Sequence, residues 1–129
     1  MIYGKVCKMK LMPQEVEVWY LIPAIRRELT KCFIGSYDFS QKKVSEVLGI
    51  TESAVSQYLK EKRGGALKFS KNEMEKITKS ADRIVNDSQN ARKYLFELSQ
   101  ELRGTESLCK LHCKHDSSIE RNCRICVGE

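Results

Sequence analysis

Four cysteines crowd into the last 21 residues, as Cys109-x3-Cys113-x9-Cys123-x2-Cys126, with His112 and His115 between them. Thiolates converging on one centre suit tetrahedral Zn²⁺ or an iron–sulfur cluster, both of which need soft anionic ligands. The Cys123-x2-Cys126 half is a strong ligand pattern. The x3 half is weaker, and His112 is an alternative ligand to Cys113. Lys110, Lys114, Arg121 and Arg124 stand beside the cysteines and would offset the negative charge of such a centre. Zinc would staple a tail too short for its own core. A cluster would make the tail a sensor of iron, oxygen or redox state. Paired disulfides, or free thiols used as a redox switch, are the metal-free alternatives. Clustering at one end of a chain whose first residues do not read as a secretory signal favours metal over a disulfide framework. Cys32 reads as a small core residue, and Cys7 is assigned nothing.

A second stretch carries chemistry of another kind. SQKKVSEVLGITESAVSQYLKEKRG, from Ser40 to Gly64, reads as two short helices around a glycine turn. Ser40 and Thr51 are good N-caps, although Lys43 stands where a capping box would want Glu. Val44, Val47 and Leu48 face inward from the first helix, and Ala54, Val55, Tyr58 and Leu59 from the second. Gly49 allows a left-handed turn, Ser45 lets the helices cross closely, and Ile50 and Val55 plug the gap between them. Glu52, Ser53, Ser56, Gln57 and Lys60 are left facing outward, where a recognition helix meets the major groove. Gln41 opens the first helix, where its amide and the helix N-terminus can both reach a phosphate.

The elements that must hold this pair are helical too. A long helix is expected after Pro13, with Val16, Trp19, Tyr20, Ile22, Ile25, Leu29, Cys32 and Phe33 along its apolar face. Pro23 should kink or split it, and Gly35 should end it. Trp19 and Tyr20 read as core or dimer packing. Two further helices, Ser70 to about Val85 and Ser88 to Leu102, are separated by Asn86-Asp87 and form an antiparallel hairpin. The fold class is all-α, with a DNA-binding helix-turn-helix domain of five or so helices and a small cysteine-rich metal-binding module. The divisions are an arm at 1–12, the helix-turn-helix domain at 13–66, a scaffold or dimerisation hairpin at 67–104, and the cysteine module at 105–129.

Gln41, Val44, Ser45, Leu48, Gly49, Ile50, Thr51, Val55 and Ser56, in that order, resemble the helix-turn-helix of the phage-repressor (Cro/C1, or XRE-like) superfamily. The wider pattern is MPQEVEVWYLIPAIRRELT, then SQKKVSEVLGITESAVSQYLKEKRGG, then the cysteine cluster. It is similar to a group of archaeal XRE-like predicted transcriptional regulators. Members of that group usually begin near the equivalent of Met12, which would make residues 1–11 an extension. The resemblance makes Thr51, Glu52, Ser53, Ser56 and Gln57 the base-reading candidates. It makes Gln41, Lys42, Lys60, Lys62 and Arg63 the phosphate-contact candidates. Glu52 departs from the glutamine common at this place in phage repressors. A carboxylate there would accept from a cytosine amino group and repel phosphates.

Composition agrees with an anionic partner. The net charge is +6, and residues 1–63 hold 11 lysines and arginines against 7 acids. The remaining residues are near balance, so the excess lies with the segment that would meet double-stranded DNA. The most apolar stretch, Val18 to Ile25, falls far below the ~20 residues of a spanning helix. A cytoplasmic location is expected, with no membrane partner. No Ser/His/Asp set, phosphate loop or paired acids suggests an enzyme, and no small-molecule substrate is indicated. The expected protein is a sequence-specific regulator working as a homodimer. The rival is an interaction adaptor on the same fold, for which Glu52 is the best support.

Overall fold

The computed structural model describes residues 12–60 and 67–103, and every regular element among them is helical. The first is a continuous right-handed rod: α1 (Pro13–Val16), a widened π turn (Glu17–Leu21) and α2 (Ile22–Tyr37). Pro23 accounts for the π turn. Its ring would collide with the carbonyl four residues back in a regular helix, and it has no N–H to give. The chain widens instead of breaking, and Ile22 donates its N–H to the Glu17 carbonyl five residues back. The expected kink is thus absorbed as one surplus residue.

That surplus rotates everything before it. Val16 and Leu21, five apart, are both buried, followed by Ala24, Ile25, Leu29 and Phe33. Leu21 and Ala24 thereby replace Trp19 on the inner face. Trp19, expected in the core or in dimer packing, is 54% exposed and so is not part of this core. Gly35 does not end the helix either. The stop is Asp38, whose left-handed backbone (φ 55°) lets its own N–H and that of Phe39 reach the Phe33 carbonyl. This brings Phe39 back to stack on Phe33 at 5.4 Å, with Tyr37 tilted against both.

Two short helices follow, α3 (Gln41–Leu48) and α4 (Glu52–Leu59), and then α5 (Lys71–Asn86) and α6 (Ala91–Leu102). A 3₁₀ turn, Ser88–Asn90, precedes α6, so the last helix begins later than its sequence pattern implies. Ser70 and Glu73 cap α5 reciprocally, side chain to backbone in both directions, in a capping box. Helix α2 runs through the middle and packs on α3, α4 and α5, while α5 packs on α6. One apolar cluster joins them, including Val44, Val55, Leu67, Ile77, Ile84 and Leu98. Residues 13–60 and the 67–103 hairpin therefore share a core. Across the hairpin, Arg83 lies over the Tyr94 ring at 4.7 Å and reaches Glu97 at 3.4 Å.

Candidate nucleic-acid interface

The α3–α4 pair is fixed by local chemistry at each joint. The Ser40 hydroxyl accepts from the Lys43 N–H at 3.1 Å and starts α3. At its far end Gly49 is left-handed (φ 67°), and Ile50 donates to the Ser45 carbonyl at 3.1 Å. Thr51 then caps α4, its hydroxyl accepting from Ala54 N–H at 3.0 Å. The dihedrals disfavour a side chain at this turn, and a neighbouring side chain would also have to shift to admit one. A Cβ on Gly49 would lie 3.3 Å from Arg92 Nη2 of α6. The Arg92 side chain of the hairpin thus lies beside the turn, a contact that no local pattern discloses.

Packing divides α4 into two sides. Ala54, Val55 and Tyr58 are buried and anchor it to α2 and α3. Thr51, Glu52, Ser53 and Lys60 are exposed, and Ser56 and Gln57 are half-buried. An eight-residue helix is about 12 Å long and, with side chains, about 10–12 Å across. The major groove is about 12 Å wide. Gln41 and Lys42 stand exposed in the first turn of α3. Ser40 occupies the Lys43 N–H, which leaves the first two N–H groups of that turn for a ligand. Lys43 shares the turn and lies 5.8 Å from the Phe39 ring centroid. In the sequence Lys43 stands out only as a missing capping partner, although its place beside Lys42 signals a second cation on the same end.

The base-reading candidates therefore share one helix side, with Gln41 and Lys42 on the neighbouring helix. Lys62 and Arg63 lie outside the described residues, as do Cys109, Cys113, Cys123, Cys126 and His112. No group of three or more His, Cys, Asp or Glu side chains among the described residues could hold a metal. Cys32 is half-buried against the core, and burial pushes its thiol up, with only a Ser36 hydrogen bond opposing. That environment suits an inert packing thiol more than a ligand. No helix among the described residues is long and apolar enough to cross a membrane. The chain matches no family model, no curated protein and no solved structure in comparisons of all three kinds.

Proposed function

We propose that this chain is a sequence-specific DNA-binding transcriptional regulator of the XRE-like type, with α3 and α4 as its helix-turn-helix. One observation carries the reading: α4 is anchored by Ala54, Val55 and Tyr58 while its opposite side carries donors and acceptors in solvent. In this reading Thr51, Glu52, Ser53, Ser56 and Gln57 read base edges. Gln41, Lys42 and Lys60, with Lys62 and Arg63 beyond the described part, hold phosphates. Thr51 has the narrowest role, since its hydroxyl already serves the cap. Lys43 joins the phosphate set. The protein works in the cytoplasm as a homodimer on two half-sites about one turn, roughly 34 Å, apart. Cys109, Cys113, Cys123 and Cys126 hold zinc or an iron–sulfur cluster that stabilises the dimer or reports redox or iron state. Metal analysis and the visible spectrum of anaerobically purified protein decide between the two.

Selection from randomised duplexes supplies the site for the test, and titration over a salt series reads it. Gln57→Ala should weaken the selected site by about 1–3 kcal/mol and leave random-sequence DNA unaffected. Lys60→Ala should weaken both and lower the salt slope by about one. Unchanged binding in both variants would remove α4 from the DNA.

One feature favours a second reading. Glu52 is exposed in the first turn of α4, where a carboxylate repels phosphate. A protein-interaction adaptor would keep such an acid. In that case the full chain would show no salt-dependent affinity for any duplex.

A further inference from the structure

The strongly exposed large apolar side chains among the described residues are Met12, Val18, Trp19 and Phe96, the last three at 58%, 54% and 61%. Their placement is not scattered. The π turn puts Glu15 one turn before Trp19 and Val18 one turn before Ile22, with Arg26 one turn further on. Val18 and Trp19 are exposed and Glu15, Ile22 and Arg26 half-buried, so the five make one partly open stripe along α1–α2. Phe96 of α6 flanks it, lining a groove of about 170 Å³ with Ile22, Leu95, Arg26 and Arg92. The Glu17–Arg103 ion pair, at 3.1 Å, fixes α6 alongside the acidic end of the stripe. The face therefore runs from acid (Glu15) through apolar residues (Trp19, Val18, Ile22, Phe96) to base (Arg26, Arg92). Arg26 Nε is shielded from solvent and has no hydrogen-bond partner among the described residues.

We infer that this face is where two copies of the chain pair, antiparallel, about a two-fold axis that passes between Trp19 and Ile22. A two-fold places the same patch on both subunits and reverses its direction. The acid–apolar–base order is then self-complementary: Glu15 of each copy meets Arg26 of the other, and Trp19 and Phe96 pack across the axis. Head-to-head alignment would set like charges together. Aromatic residues at the centre of such a patch supply most of its affinity. The site specifies the homodimer proposed above and rests on that reading. It moves the pairing surface from the hairpin alone to the α1–α2 stripe with α6 at its flank.

Sedimentation of the full chain without DNA tests this separately from base reading. The wild-type chain should be a dimer. Trp19→Glu with Phe96→Glu should raise the dissociation constant by about 100-fold or more, with an unchanged helical circular dichroism spectrum. Glu15→Arg alone and Arg26→Glu alone should each weaken pairing by at least about 10-fold, because each change strikes twice in a symmetric dimer. Mixing those two single variants should restore a tight heterodimer, since one of its two charge contacts is then a reversed but attractive pair. Restoration also shows that both variants fold. A monomeric wild type, a Trp19→Glu, Phe96→Glu double variant that still pairs as tightly, or a mixture that stays monomeric would each overturn the assignment.

Discussion

Two residues of left-handed backbone mark the ends of α2 and α3, and they differ in how well their side chains suit it. Asp38 adopts φ 55° because Phe39 must return to Phe33, and a side chain there carries strain that glycine would not. Asp38→Gly is expected to stabilise the fold by about 1 kcal/mol, read as a higher urea midpoint. Gly49→Ala should do the opposite, losing about 1–2 kcal/mol from the dihedral alone, with Arg92 forced to move as well. Gly49 is legible in the sequence because apolar residues and caps flank it at fixed offsets. Asp38 is not, since its conformation follows from an aromatic contact made by the residue after it. Gly35 misleads for the matching reason: a glycine signals permission to turn, not an obligation. A Cβ at Gly35 would meet nothing within 4 Å.

At the level of the elements, the hairpin shows how a turn acquires pH sensitivity. Asp87 accepts from Asn90 Nδ2 and from the Tyr94 hydroxyl, each at 2.8 Å. These two donors hold its carboxyl below its ordinary value, while the same bond pushes Tyr94 up. The folded state thus binds the Asp87 proton more weakly than the unfolded chain. Its contribution is present above about pH 4 and fades as pH falls through the lowered folded value. Asp87→Asn should therefore lower the urea midpoint at pH 7, and the deficit should shrink on acidification below about pH 4. An equal deficit at both ends would show that the charge plays no part. Helix existence is readable across the whole described chain from apolar spacing. The reciprocal cap is also present in the sequence, as Ser70-x-x-Glu73. The inner face of α1–α2 is not readable, because a spacing of five imitates no regular helix.

Across the whole molecule, one core serves both the α3–α4 pair and the hairpin, and α2 is its axis. At that axis Thr30 is fully buried, and its hydroxyl has no partner among the described residues. An unsatisfied buried hydroxyl costs free energy that an isosteric methyl does not. Thr30→Val should raise global stability by about 1 kcal/mol, as a later cooperative transition in urea with an unchanged slope. A loss of stability would mean that the hydroxyl is satisfied in solution. The outward side of α4 follows from the sequence because Ala54, Val55 and Tyr58 are spaced for a helix. The place of the Arg92 side chain beside the turn does not, because Gly49 and Arg92 stand far apart along the chain. The cysteine tail falls outside the described residues, so its ligand set stands on spacing.

The widened turn at Glu17–Leu21 ties a proline to a chain length. Removing Val18 alone would bring Val16 and Leu21 to a regular helical step. It would also return the Pro23 ring to the path of a carbonyl, at about 3 kcal/mol. Once Pro23 is alanine, that obstacle is gone and the shortened helix can close at little cost. The two changes should therefore be strongly non-additive in a double-mutant cycle. Length variation at this point is then expected to be tolerated only in chains that have also given up the proline.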